Sequence, residues 1–419
     1  MGSVQTMFRS LRHRNFRLFF SGQIVSLVGT WMQQVAQSWL IYRLSHSAAL
    51  LGVATFVNQI PALLLSPVGG VVADRYDRRR ILVWTQTASM VLAMILAALT
   101  LNGVVQVWHI MVLAVLLGVS SAFDTPARQS FIVDMVERQD VSNSIALNSV
   151  MYTVARTLGP AVAGVLVSLM GEGWCFAVNG LSYVAVIVGL LMMRIPMRIS
   201  APLAGSPFSH VAEGFRYVWR TGPVRSLLWV MGLSCLVAVP YQYFMPIFAD
   251  QILHGGPRGM GWLMAAAGTG ALVGALVLSL RTELNGMGAL VARYCFTFGI
   301  SLAAFSLSQS FYLSMALLVV LGFAMTSLYA LINTLIQSMI PDELRGRVMS
   351  FYFLMYVGTT PFGTLLAGSL AKPLGVPRTL TCGGLICAAG GVVFWLGLDE
   401  FRTGARRLID GMLPLKVPP

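Results

Sequence analysis

The chain has 419 residues, of which 57% are hydrophobic and 10% are charged, and its mean hydropathy is +0.76. This composition excludes an ordinary soluble domain and predicts many helices, each crossing a membrane with roughly 20 apolar residues. The net charge of +13 invites a nucleic-acid-binding interpretation. The basic residues are nevertheless distributed as in a membrane protein, so we expect a lipid bilayer as partner and no nucleic acid.

Uncharged stretches bounded by charged residues predict an all-α integral membrane protein with twelve transmembrane helices in two six-helix, pseudo-symmetric halves. Helices are favoured over a barrel because the apolar runs are continuous rather than alternating. The predicted spans one to six are residues 18–42, 44–73, two within 81–123 separated at 101–103, 141–171 and 173–193. Spans seven to twelve are residues 226–249, 259–280, two within 287–340 separated near 308–310, 348–371 and 379–398.

These spans divide the chain into four segments. Residues 1–193 form the first half, with a basic lead-in helix predicted over residues 7–20 rather than a cleaved signal peptide. Residues 194–225 form a central loop in which an amphipathic helix over 208–219 is expected to lie along the membrane surface. Residues 226–398 form the second half, and 399–419 form a tail.

The arrangement of basic residues orients the predicted bundle. Arg156 and Arg293 fall within spans, and the other arginines and lysines collect on one side, apart from Arg43, Arg258, Lys372 and Arg378. An excess of basic residues marks the cytoplasmic side of a membrane protein. We therefore expect a multi-pass protein with both termini in the cytoplasm.

Four charged motifs carry a family resemblance. They are residues 70–80, with the pattern G-x-x-x-D-R-x-x-x-R-R, and the stretches 14–19 (RNFRLF), 123–129 (FDTPARQ) and 341–350 (PDELRGRVMS). Together they resemble the major facilitator superfamily, and within it the bacterial branch of enterobactin exporters and macrolide-efflux proteins. The resemblance implies a secondary active transporter of the bacterial inner membrane that exports amphipathic small molecules by alternating access, with proton coupling as one option.

The same resemblance implies a latch at the cytoplasmic side. Asp74 is expected to face the start of span eleven, and Arg78 to pair with Asp124 at the end of span four. Asp77 replaces a usual glycine, which predicts a left-handed turn at extra cost. The alternative is that these arginines only determine topology. The latch residues are Gly70, Asp74, Arg75, Arg78, Arg79, Asp124, Arg345 and Arg347.

Two charged residues are candidates for coupling. Asp124 is interpreted either as the latch partner or as a proton carrier, since acids within spans are functional candidates. The absence of an arginine in 110–118 of span four weakens ordinary proton antiport. Arg156, midway along span five, is expected to contact carbonyls of a neighbouring helix or an anionic substrate.

Polar and aromatic residues within the spans predict a substrate cavity, with interhelical hydrogen bonding as the alternative reading. The cavity candidates are Gln34, Gln37, Asn58, Gln59, Asn148, Tyr241, Gln242, Tyr329, Asn333 and Gln337. A second group is expected to pack or bend helices through glycine and proline. Its members are Gly159, Pro160, Gly164, Pro361 and Gly363.

The sequence lacks the common motifs of enzyme active sites. It has no phosphate-binding loop, no G-x-S-x-G motif, and no metal-ligand spacing among its five histidines and five cysteines. We expect no catalysis, no cofactor, no metal and a monomer, with buried free cysteines inside the spans. Two alternatives to an exporter remain: a lipid or lysophospholipid flippase of the same fold, and a membrane sensor that does not transport.

Overall fold

The computed structural model describes residues 8–193, 207–280 and 286–410. Every regular element in these ranges is a helix, which confirms the predicted all-α class. Contacts divide the chain into two compact units. Unit 1 comprises residues up to Leu203 together with Met245–Ala265, and unit 2 comprises Ala204–Phe244 together with the residues from Ala266 onward.

Six long helices follow one another in unit 1. They are Arg14–Ser45 (α1), Ala48–Arg75 (α2), Arg78–Leu101 (α3), Val107–Asp134 (α4), Val141–Met170 (α5) and Glu172–Met192 (α6). They correspond to predicted spans one to six. The predicted separation of spans three and four at residues 101–103 is confirmed, since α3 ends at Leu101.

The remaining helices begin with the predicted amphipathic one. They are Pro207–Arg220 (α7), Gly222–Val237 (α8), Gly256–Ser279 (α9), Met287–Leu307 (α10), Phe311–Ser338 (α11), Asp342–Leu374 (α12), Val376–Leu396 (α13) and Leu398–Asp410 (α14). After α8 the chain continues through a 3-10 turn, Val239–Phe244, and a π-helical turn, Phe248–Ile252. Helices α8 to α13 correspond to spans seven to twelve.

Eleven of the helical segments in the described ranges are long and apolar enough to cross a membrane. Helix α1 has 32 residues but is not among them, so hydropathy supports eleven of the twelve predicted spans. The reason lies in its polar content, which includes Gln23, Gln33, Gln34 and Gln37. Two of these glutamines, Gln23 and Gln33, are buried in the protein rather than turned outward.

The basic lead-in is not one continuous helix as predicted. Arg9–Arg12 form a 3-10 turn, and the chain is extended at His13 before α1 begins. The cause is a set of contacts to the start of α5. Asp140 pairs with Arg9 at 2.6 Å and with His13 at 2.7 Å, and the Ser10 hydroxyl donates to Asn143 Oδ1 at 2.7 Å.

The two halves repeat the same local devices. A single glycine joins α5 to α6 and another joins α12 to α13: Gly171 with φ 84° and ψ 172°, and Gly375 with φ 80° and ψ 153°. This region of backbone space is essentially restricted to glycine. The helix pairs α2–α4 and α9–α11 cross in the same way, with glycines at the crossing point whose Cα atoms lie close to a backbone carbonyl of the partner helix. These glycines are Gly69 and Gly118 in the first pair and Gly270 and Gly322 in the second.

Helix α7 packs against α12 inside unit 2. A Cβ at Gly214 would lie 2.6 Å from the Arg347 carbonyl oxygen, and the Phe215 and Phe351 rings meet edge to face at 5.7 Å. Burial raises the pKa of Tyr217 above its usual value, so its neutral hydroxyl donates to the Met339 carbonyl at 3.4 Å. Of the apolar residues on the predicted amphipathic helix, Val218 is buried and Phe215 is exposed.

Candidate functional site

The turn between α2 and α3 is a capped helix start. Asp77 has φ −60°, and its side chain accepts hydrogen bonds from the backbone N–H groups of Arg79 at 2.9 Å and Arg80 at 3.4 Å. Aspartate is among the preferred N-cap residues. The prediction of a left-handed turn at Asp77 is wrong, because the residue in this position caps a helix instead of reversing the chain.

The partner of Arg78 differs from the predicted one. Its Nη1 bonds to Asp134 Oδ2 at 2.7 Å, its Nε donates to the Ala73 carbonyl at 3.2 Å, and Asp74 lies 3.7 Å away. The predicted Arg78–Asp124 pair is wrong. Helix α4 continues past Pro126 to Asp134, so the acid at its end lies about 15 Å farther along the axis than Asp124.

The other predicted latch residues have separate surroundings. Arg79 donates to the Leu191 carbonyl of α6 at 2.6 Å, and Arg75 is exposed. A Cβ at Gly70 would meet no atom within 4 Å, whereas its neighbour Gly69 abuts the Ala122 carbonyl. Arg345 is exposed and Arg347 half-buried in unit 2. The contact of Asp74 with span eleven stays a prediction.

Asp124 is the centre of a buried polar cluster between α3 and α4. Its Oδ1 accepts from the Thr85 hydroxyl at 2.9 Å and from the Gln86 amide at 2.8 Å, while its Oδ2 pairs with Arg128 at 3.0 Å. The residue is 7% exposed. An ionised carboxylate needs such donors when it is removed from water.

The Asp124 cluster extends along α3 through serine hydroxyls. Ser120 donates to the Thr85 carbonyl at 3.0 Å and lies 3.2 Å from the Ser89 hydroxyl. The Gln86 side-chain carbonyl oxygen is buried and has no hydrogen-bond partner among the described residues.

Arg156 lies beside an aromatic pair rather than beside an acid. Its guanidinium is 5.6 Å from the centre of the Trp31 ring, which in turn meets Tyr152 edge to face at 6.0 Å. One turn further along α5, a Cβ at Gly159 would lie 3.0 Å from the Val28 carbonyl oxygen. The arginine is thus stabilised by a cation–π contact, which neither of its two predicted roles includes.

The opposite end of α1 carries contacts that the sequence did not suggest. The Tyr42 hydroxyl donates to Asp250 Oδ2 at 2.6 Å, within the π-helical turn, and Arg43 Nε bonds to Glu172 at 2.8 Å. Helices α5 and α9 also touch within unit 1, where a Cβ at Gly164 would lie 2.8 Å from Gly261 Cα. The paired residues are 208 and 129 positions apart in the chain, so no pattern within one helix indicates these contacts.

Unit 2 contains a second polar cluster, built from tyrosines of α11 and α12. The Tyr329 hydroxyl lies 3.1 Å from the Ser234 hydroxyl, and its ring meets Tyr356 at 5.3 Å. The Tyr352 hydroxyl donates to the Tyr329 carbonyl at 3.4 Å. Tyr352 and Tyr356 were absent from the cavity prediction, although their four-residue spacing was visible in the sequence.

The other cavity candidates have mixed surroundings. Asn58 donates to the Ala114 carbonyl at 3.0 Å, which is the interhelical hydrogen bond of the alternative reading. The Gln242 amide lies 3.8 Å from Met325 Sδ, and Gln337 donates to Asn333 at 2.6 Å. Exposure also varies: Gln34 is exposed, Tyr241 is buried, and the half-buried members are Gln37, Gln59 and Asn148.

Proline and glycine shape α5 and α12 alike. Pro160 lies inside α5 and Pro361 inside α12, and a Cβ at Gly363 would lie within 3.0 Å of the Cys235 carbonyl oxygen.

Among the cysteines, all but Cys382 are buried, so the prediction of five buried cysteines is wrong at that one position. Cys382 lies on the exposed side of α13.

Comparison with known families identifies the class. The chain matches a major facilitator family model, described as a transmembrane secretion effector, over residues 5–403. The chain belongs to this family. It is therefore a secondary transporter of the major facilitator type, with the fold that its sequence motifs predicted.

Curated relatives cover nearly the whole chain. A staphyloferrin A transporter of Staphylococcus aureus is 25% identical and covers 93% of this chain and 99% of its own length. Macrolide efflux protein A of Streptococcus pyogenes is 23% identical, with coverages of 90% and 96%. The multidrug efflux pump Tap of Mycobacterium tuberculosis is 25% identical, with coverages of 91% and 94%.

Solved structures support the fold alone. A bacterial homologue of the human lysosomal transporter Spinster, in an inward-facing and occupied conformation, aligns with a TM-score of 0.75 at 15% identity, covering 94% of this chain and 98% of that one. A POT family transporter in complex with 5-aminolevulinic acid aligns with a TM-score of 0.72 at 12% identity, covering 93% and 96%.

Proposed function

We propose that this protein exports amphipathic small molecules of the drug or siderophore class across a bacterial inner membrane by alternating access. The observation that carries the proposal is the match over nine-tenths of both lengths to a siderophore transporter, a macrolide efflux protein and a multidrug pump. The tyrosine cluster around Tyr329 fits such a cargo, because aromatic rings with hydroxyl groups contact apolar and polar parts of one ligand.

Proton coupling through Asp124 is the second part of the proposal. A buried carboxylate inside a predicted span is a candidate proton carrier, and Asp124 lies 3.0 Å from Arg128. Its hydrogen bonds to Thr85 and Gln86 connect this carboxylate to α3. Arg156, stacked on Trp31, is proposed to maintain the shape of α1 rather than to carry protons.

The proposed latch uses Arg78 with Asp134 inside unit 1, and Asp74 toward span eleven. The protein is proposed to act as a monomer with both termini in the cytoplasm, where the basic excess of the sequence is favourable. Asp74→Asn is then expected to reduce transport while leaving membrane insertion intact. Full transport by a well-inserted Asp74→Asn protein contradicts the latch.

Efflux assays in a pump-deficient bacterial strain test the function directly. The strain expresses the full chain and is exposed to a panel of macrolides, dyes and iron-free siderophores. The accumulation of each compound in the cells is then measured. We expect lower accumulation of at least one amphipathic compound than with Asp124→Asn. Movement of fluorescent lipid between leaflets without compound efflux favours a flippase, and no flux of either kind favours a sensor.

A further inference from the structure

The junction between α7 and α8 has an unusual surface. Only Thr221 separates Arg220 from the first residue of α8. Three large side chains at the junction are substantially exposed, with Phe215 at 47%, Trp219 at 54% and Trp229 at 65%. Exposed tryptophans are typical of the boundary between headgroups and hydrocarbon in a membrane.

Charge at the junction has one dominant sign. Within residues 207–229 the charged residues are Glu213, Arg216, Arg220 and Arg225. The three arginines are exposed in the structure. A surface of this charge attracts an anionic group, and an arginine matches a phosphate with two parallel N–H donors.

Arg225 is held in place by its neighbour rather than extended freely. Its Nη1 donates to the Trp219 carbonyl at 3.2 Å, and its guanidinium lies 5.9 Å from the centre of the Trp219 ring. The Trp219 ring in turn stacks on Phe215 at 5.7 Å with an angle of 26°. An arginine fixed in this way loses less side-chain entropy when it binds a phosphate.

The spacing along α8 matches the depth of a phospholipid. Arg225 and Trp229 are four residues apart and lie on one face of the helix. They are therefore separated by about 6 Å along the axis. When the guanidinium lies at the level of the phosphates, this spacing brings the indole to the level where acyl chains begin.

We propose that the α7–α8 junction binds one anionic phospholipid of the adjacent leaflet, with its phosphate on Arg225 and Arg220 and its upper acyl chains against Trp219 and Trp229. Bound lipid links α7 to α8 from outside. Since α7 also rests on α12 through Gly214, the lipid stabilises this end of unit 2. The proposal does not depend on which molecule the protein transports.

The binding is tested by native mass spectrometry of the full chain in detergent, titrated with phosphatidylglycerol. The wild type is expected to bind a first phosphatidylglycerol more tightly than phosphatidylcholine. Arg225→Gln is expected to weaken that first association about five-fold, the factor that corresponds to about 1 kcal/mol per arginine at an anionic surface. Arg225→Lys keeps the positive charge but not the paired N–H donors of the guanidinium. Its affinity for the first phosphatidylglycerol is expected to fall between those of the wild type and Arg225→Gln.

Arg406→Gln is the matched control, because Arg406 is an exposed arginine on α14 of the same unit. It is expected to leave the first association unchanged. Equal affinities of wild type and Arg225→Gln, at equal thermal stability, would overturn the proposal, and so would an equal loss in Arg406→Gln. Displacement of the lipid by inorganic phosphate at millimolar concentration would also overturn it, because the site would then recognise any phosphate anion rather than a lipid.

Discussion

The polar clusters around Asp124 in unit 1 and around Tyr329 in unit 2 use different chemistry. The first contains a buried ion pair at 3.0 Å with two further donors on the carboxylate. The second joins tyrosine and serine hydroxyls at 3.1 Å without a charged member. The same glycine-based helix crossings support both halves, so a repeated scaffold carries a charged centre on one side and a neutral aromatic one on the other.

This difference has a physical consequence. A buried ion pair is costly to form and sensitive to the loss of either partner, whereas a neutral hydroxyl pair contributes little and is readily replaced. Unit 1 should therefore respond strongly to charge changes at its cluster. Substitutions at the Tyr329 cluster of unit 2 should mainly change the range of compounds that the protein transports.

The largest effect is expected for Asp124→Ala. The change leaves Arg128 without its carboxylate in a buried environment, so stability should fall by about 3 kcal/mol. Thermal unfolding in detergent measures the loss. The double variant Asp124→Ala with Arg128→Leu should be more stable than the single one, and a double variant that is less stable contradicts the ion-pair account.

A smaller loss of stability is expected when alanine replaces one of two adjacent glycines of α2, but not the other. Gly69→Ala places a Cβ against the Ala122 carbonyl and should cost about 2 kcal/mol. Gly70→Ala is the matched control, because its Cβ meets no atom within 4 Å. Thermal stabilities of the two variants are compared with their efflux rates. An equal loss of stability in both contradicts the packing of α2 on α4.

A double-mutant cycle distinguishes the two acids of α4. Arg78→Gln and Asp134→Asn should be coupled by about 1.5 kcal/mol, because their side chains form a charged hydrogen bond at 2.7 Å. Arg78→Gln and Asp124→Asn should be nearly additive. The cycles are measured by thermal unfolding, and a stronger coupling of Arg78 to Asp124 would restore the pairing predicted from the sequence.

The smallest effect on stability is expected for Tyr329→Phe. It removes the hydrogen bonds of the Tyr329 hydroxyl with Ser234 and with the Cys235 thiol, and each such bond in a membrane protein contributes about 0.6 kcal/mol. The compound range should narrow toward apolar substrates, as measured by efflux across a panel. Ser234→Ala serves as the control, because it removes the Ser234 bond but keeps the tyrosine hydroxyl and its bond with Cys235. Identical compound ranges for both variants would assign the effect to the Ser234 bond alone.

The response of transport to a pH gradient distinguishes the Asp124 cluster from the Tyr329 cluster. If Asp124 carries the proton, Asp124→Asn should abolish acceleration of efflux by a pH gradient, while Tyr329→Phe should retain it. Transport into vesicles with and without an imposed gradient measures this. A gradient response that survives in Asp124→Asn excludes Asp124 as the proton carrier.

Much of the fold was predictable because membrane spans leave a strong local signal. Apolar length located the breaks at residues 101–103 and 308–310, and charge placed the turn that begins α3. A hydropathy threshold alone does not mark α1 as a span, because the helix contains Gln23, Gln33, Gln34 and Gln37. The charge rule also ended span four at Phe123, although α4 runs on to Asp134, because a charged residue paired inside a bundle does not stop a helix.

The sequence by itself determined the class of protein, its helices and the motifs of its family, since these depend on local hydropathy and spacing. Only the tertiary structure decided which polar groups meet: Arg78 with Asp134, Asp124 with Arg128, and Tyr42 with Asp250. Partners of this kind are set by where helices end and which faces they turn to one another. That information depends on packing over long sequence distances, which no pattern within one helix contains.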